Sequence, residues 1–217
     1  MNKLRPAFFA FFVTISLTNC NQQANQDIQD CFLRIQTAAQ SFDSEAVLAQ
    51  LDSESLEYFK TISELAKEKS NYKINEFCDA HPDYSLMTRL LIGAVSNIAD
   101  STSAEPKNAL LANMILGTGV LSSLNNTQVT FAKVEKIRSG KATVIVNQKI
   151  NTNAFIQSKY FFTKENDAWK LNVFSTYSLF EKYLDKEWRR IGGDVNFFIK
   201  TYLEKGGSGQ MMLKYRK

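Results

Sequence analysis

From residue 127 to 175 the chain reads as four alternating segments, "TQVTFAKVEKI", "KATVIVNQKI", "FIQSKYFFTK" and "AWKLNVFS". Apolar residues two apart, such as Val129 and Phe131, Val144 and Val146, Tyr160 and Phe162, and Trp169 and Leu171, fall on one face of a β-strand. The breaks "RSGK", "NTNA" and "ENDA" are of hairpin length, so each strand returns beside the one before it. This predicts an antiparallel four-stranded meander, one face of which must be covered.

The cover is at hand in the flanking sequence, where the period is helical. Ile28, Cys31, Phe32, Ile35, Ala38, Ala39 and Phe42 are three and four apart, which gives one face of a helix of about four turns. Asp43 and Ser44 precede Val47, Leu48 and Leu51; Asp52 and Ser53 precede Leu56, Phe59, Ile62 and Leu65, so two capped helix starts follow. The stretch "KSNYKINEFCDAHPDY" has a poor period and reads as a loop, with a short edge strand at Tyr72 to Phe77. "SLMTRLLIGAVSNI" is helical again, "STSAEP" reads as a linker, and "KNALLANMILGTGVLSSL" as a buried helix ending near Leu116, ahead of Gly117 and Gly119. After the sheet, Leu179, Phe180, Tyr183, Leu184 and Trp188 form one helical stripe and Val195, Phe198, Ile199, Tyr202 and Leu203 a second, separated by "GG". The fold class is therefore α+β: N-terminal helices on a curved antiparallel four-stranded meander, with extra C-terminal helices. One domain spans 27–205, with the sheet at about 127–175, the C-terminal helices at about 177–205 and a flexible tail at 206–217.

The start of the chain has a different character. Lys3 and Arg5 precede "AFFAFFVTISL", an uncharged run of about half the roughly 20 residues a membrane-spanning helix requires, which fits a secretory leader better than a permanent span. "NQQANQDIQD" is polar and reads as a tether. Cys20 stands at the junction, in "LTNC". There the chain resembles a bacterial lipoprotein precursor: Leu17 and Thr18 match the first positions of the lipobox, and Asn19 departs from the small residue usual before the cysteine. The resemblance implies a signal peptide at 1–19, lipidation at Cys20 and a tether at 20–26, hence a membrane attachment through an acylated N-terminal cysteine. Asn21, where Asp would argue for inner-membrane retention, points to the outer membrane, with the domain facing the periplasm.

Lys and Arg number 26 and Asp and Glu 22; without Lys3 and Arg5 the balance is 24 to 22. Such a near-neutral chain, with no clustered basic run apart from "KYRK", does not read as a nucleic-acid binder. A hydrophobic content of 44% excludes a disordered chain. Cys31 and Cys78 remain as either one disulfide or two buried thiols.

His81 is the only histidine, which excludes a His–His metal pair. Asp79, His81 and Asp83 in "DAHPD" are two residues apart, but polar residues around a proline are what an exposed loop contains, and neither metal nor cofactor is expected. Acid–base chemistry requires a carboxylate and a tyrosine in an apolar cavity; Glu135 and Tyr160 are the sheet's candidates, with Glu135 reading as solvent-facing between Lys133 and Lys136. Tyr160, Phe162 and Trp169 are candidates for lining a ligand pocket. Trp188, Arg189, Arg190 and Phe198 are of types that dominate interfaces, which makes them a candidate partner surface; intramolecular packing is the competing reading.

The helix-then-meander order, with "FDSEAVLAQLDSESLEYFKTISELA" early and "TKENDAWKLNVF" closing the sheet, resembles the cone-shaped nuclear transport factor 2-like superfamily over about residues 27–175. The resemblance implies a curved sheet that encloses an apolar cavity. The function expected is that of a lipid-anchored, non-enzymatic envelope protein binding a protein partner or a small apolar ligand. The alternatives are a periplasmic hydrolase or isomerase acting in the cone cavity, and an immunity or inhibitor lipoprotein.

Overall fold

A computed structural model describes residues 6–99, 129–151 and 154–204. The linker at 101–106, the helix expected to end near Leu116 and the tail at 206–217 lie outside them. Seven α-helices and four strands are seen among the described residues: α1 Pro6–Gln40, α2 Ser44–Leu48, α3 Ser53–Glu68, α4 Asn71–Ala80, α5 Ser85–Ala99, β1 Val129–Arg138, β2 Lys141–Asn151, β3 Ala154–Glu165, β4 Ala168–Asn172, α6 Val173–Ile191 and α7 Val195–Glu204.

The sheet is the open antiparallel meander β1-β2-β3-β4. Arg138 pairs with Lys141, and Glu165 with Ala168, so both hairpins turn through two residues. Ser139 and Gly140, and Asn166 and Asp167, all have positive φ, the conformation that matches a tight turn to the twist of its strands. Register shifts after Phe131 and after Val134 mark bulges in β1, which bend an edge strand and weaken it as a template for further pairing.

One face of the sheet is buried. Val144, Val146, Phe162 and Leu171 share one buried core with Ile28, Phe32 and Ile35 of α1, and Phe59, Ile62, Leu91, Tyr177 and Phe198 extend it through the other helices. Phe32 joins the layers, its ring 5.7 Å from Phe131 and edge-on to Tyr160 at 6.3 Å.

Two predicted elements are corrected. Residues 71–80 are helix α4, with no edge strand at Tyr72 to Phe77, and a 3-10 turn follows at Pro82–Tyr84. Ser70 supplies the start by accepting a hydrogen bond from the Lys73 amide, while Ile74, Phe77 and Cys78 give α4 a narrow inward face. The expected tether at 20–26 is also helical, being part of α1. Among the described residues no helix is long and apolar enough to cross a membrane.

The chain closes on itself at a polar node. Leu171 N donates to Gln50 O at 2.8 Å and Asp52 N to Leu171 O at 3.1 Å, so the segment before α3 pairs with the outer edge of β4. Asp52 and Asn172, each almost fully buried, cap α3 and α6 through the amides of Ser55 and Ser175. Asn172 Nδ2 donates to Asp52 Oδ2 at 2.6 Å and to Glu54 Oε2 at 2.8 Å, and Ser55 Oγ accepts from Val173 N at 2.9 Å. Two helix starts, each with unsatisfied amides of its own, are thus fastened to each other.

Candidate functional site

The aromatic residues expected to line a pocket are core instead. Tyr160, Phe162 and Trp169 are all at most 5% exposed and belong to the cluster that joins the sheet to the helices. Their alternation placed them on the right face, but that face is packed against α1. Glu135 is exposed and its carboxylate meets Lys159 Nζ at 2.6 Å. Lys159 neighbours the buried Tyr160 and points to the opposite face, so Glu135 and Tyr160 do not converge on one site.

The expected partner surface also resolves into internal contacts. Phe198 is fully buried against Tyr202, which removes it from any surface. Trp188 is half-buried, and its indole N–H donates to Gly193 O at 3.2 Å, fixing the corner between α6 and α7. Arg189 pairs with Asp185 at 2.9 Å, and Arg190 grips Glu187 Oε2 through two nitrogens. The adjacent Phe197 is the aromatic left exposed at this corner.

Cys31 and Cys78 are both free and buried. Cys31 Sγ lies 3.9 Å from Gln50 Oε1 and Cys78 Sγ 3.6 Å from Ser85 O, so each thiol occupies its own neighbourhood and the expected alternative of a disulfide is not realised. Burial pushes the Cys31 thiol up to about 11 and raises that of Cys78, which leaves both in the unreactive thiol form. Cys20 lies in α1, within the part of that helix whose side chains are not described.

The most concentrated polar chemistry lies where α3, α5 and α6 meet. Glu181, on α6 and 8% exposed, accepts from Leu86 N at 2.7 Å and Met87 N at 2.9 Å. Its carboxylate satisfies two of the unpaired amides in the first turn of α5, where the helix dipole favours negative charge. Beside it the hydroxyls of Tyr58 and Thr88 share a buried hydrogen bond of 2.8 Å. Aromatic rings lead from here to the surface. Tyr84 meets Tyr58 at 5.5 Å and Phe174 at 4.5 Å, both edge-on, and stacks on His81 at 5.2 Å with 22° between planes. Phe77 closes the run 4.6 Å from His81.

The chain's one imidazole is therefore held in an aromatic stack, and no group of three metal-ligating side chains occurs among the described residues.

Burial raises the Glu181 carboxyl above its ordinary value, and the two amides oppose this only in part. A carboxyl that binds its proton more tightly folded than unfolded disfavours the fold once ionised, and that cost is relieved as pH falls through the raised pKa. Glu181→Gln removes the titration. The stability of the wild type relative to this variant is expected to rise as pH is lowered from 7 towards the ordinary carboxyl value. Urea unfolding of both proteins at each pH checks this, and a constant difference contradicts it.

The sequence offered one signal for Glu181 that residue type obscured. It falls on the same helical stripe as Tyr177, Leu184 and Trp188, so spacing places it inward, although an acid on an aromatic helix reads first as part of the polar face. Compared with known protein families and with curated proteins, the chain matches none.

Proposed function

We propose that this protein is a lipid-anchored component of a bacterial cell envelope whose α+β domain is a binding module. The observation that carries the binding reading is the employment of its chemistry-bearing side chains. Asp52 and Glu181 hold helix starts, and Glu187 holds Arg190. A general acid or base requires a group in hydrogen-bond reach of a substrate proton, whereas these groups are in reach of the protein's own backbone and side chains. The half-exposed rings of Phe77, His81, Tyr84 and Phe174 supply apolar faces with a polar margin, the composition that small-molecule and partner sites share.

The anchoring half of the proposal rests on the order of charge, apolar run, "LTNC" and polar segment. Membrane fractionation of cells that express the wild type or Cys20→Ala tests it. Wild type is expected in the membrane fraction through acyl chains on Cys20, and the variant is expected to lose that association. A wild type found in the soluble fraction overturns the proposal.

A further inference from the structure

Near-neutral composition hides a strong separation of charge. Residues 27–99, which hold the helices before the sheet, carry twelve acidic and six basic residues, whereas residues 129–172, which form the sheet, carry three acidic and eight basic. Strand alternation then sorts the sheet's charges onto one side. Ala142, Val144 and Val146 face the core, so Lys141, Thr143, Ile145 and Lys149 face away from it.

The pairing register extends this outward face across the sheet. Lys133, Ile145 and Lys159 form one row, Lys136, Thr143 and Phe161 the next, and Arg138, Lys141, Thr163 and Lys170 a third. Lys133, Lys136, Arg138, Lys141, Lys149 and Lys159 are all exposed. Neighbouring strands are about 4.8 Å apart, and same-face residues along a strand about 6.8 Å, so the exposed basic side chains of the three rows stand close together around the buried Ile145.

Its acids are already engaged: Glu135 with Lys159 at 2.6 Å, and Glu165 with the amide and hydroxyl of Ser53. Lys133, Lys136, Arg138 and Lys141 have no carboxylate partner among the described residues. Lysines on β1 alone would be explained as guards of a free edge. Lys141 and Lys159 stand on inner strands, where edge protection is not needed.

We infer that the outward face of the sheet docks on an anionic lipid surface. This inference rests on the anchored reading above, because acyl chains on Cys20 bring the domain to a bilayer, where charge decides which face turns to the lipid. From Cys20 to Ile28, the first residue buried in the core among those described, the chain runs about 12 Å as part of helix α1. A field of exposed lysines is complementary in charge to a surface of lipid phosphates, and each basic residue near such a surface strengthens binding about fivefold.

Amine footprinting on the full chain reconstituted in vesicles tests this, with phosphatidylcholine alone compared with phosphatidylcholine containing one part in three phosphatidylglycerol (about 33%, a strongly anionic surface). Acylation of Lys133, Lys136 and Lys141 is expected to slow at least about threefold in the anionic vesicles and to recover in high salt, while Lys60 and Lys67 on α3 react equally in both. Equal labelling of the sheet lysines in the two vesicle types overturns the inference. So does protection in neutral vesicles or without vesicles, which would mean that a second copy covers the face. Failure of the anchor is read separately, as loss of co-sedimentation with neutral vesicles.

Discussion

Replacing Asn172 with alanine will lower the stability of the domain by about 3–4 kcal/mol. The side chain caps α6 through the Ser175 amide at 2.5 Å and donates to the carboxylates of Asp52 and Glu54. Loss of a cap costs about 1 kcal/mol, and leaving the buried Asp52 carboxylate without this donor costs roughly a further 2–3 kcal/mol, since a charged group pays a larger desolvation penalty than a neutral one. For a domain of this size the midpoint of thermal unfolding should fall by roughly 2–4 °C per kcal/mol. Asn172→Asp keeps the cap but replaces the donor to Asp52 and Glu54 by a further carboxylate, so it too should destabilise the domain. A double-mutant cycle of Asn172→Ala with Asp52→Ala measures the coupling. Additive losses would show that the two caps act independently, against the node described here.

Phe32→Ala is expected to cost about 3–5 kcal/mol, the range for emptying a buried aromatic site in a close-packed core. Phe32 is fully buried and is the ring through which α1 meets both Phe131 and Tyr160. Phe32→Leu retains most of the apolar volume and should cost less than half as much, about 1–2 kcal/mol. Urea denaturation of the three proteins checks both values. A loss under about 1 kcal/mol for the alanine variant would mean that α1 is not seated on the sheet.

What was legible in the sequence follows from which signals are local. The four strands were readable because alternation and hairpin turns act within a few residues, and "RSGK" and "ENDA" became the two tight turns. The stripes Ile28–Ala39 and Phe59–Leu65 likewise became buried helix faces. Phe42 and Leu179, placed on apolar stripes by spacing, are exposed instead, the first because α1 ends in a left-handed turn at that residue.

α4 was missed because three inward residues in ten make a weak period, and its clearest signal is the Ser70 cap. β4 also ends earlier than alternation suggests. Asn172 stops it and starts α6 at Val173, so that "VFS" is helical.

The candidate site was less legible than the fold. Residue type alone assigned Tyr160, Phe162 and Trp169 to a pocket and Phe198 to a surface, but the depth of burial depends on which helix covers them, and that is set by contacts far apart in sequence. The Glu181 carboxylate and the amides it holds are 94 and 95 residues apart, and no local pattern carries such a pairing. The basic face escaped notice for a related reason. Its lysines lie on separate strands, interleaved with apolar residues, and become neighbours only when the register is known.

The proposed anchoring of this domain rests on lipidation of the "LTNC" cysteine, Cys20. Intact mass of the protein extracted from the membranes of its native cell tests that most directly. A chain beginning at Cys20 that carries a diacylglycerol group and an amide-linked acyl chain is expected. A mass equal to the unmodified chain, or to a cleaved chain without lipid, would contradict it.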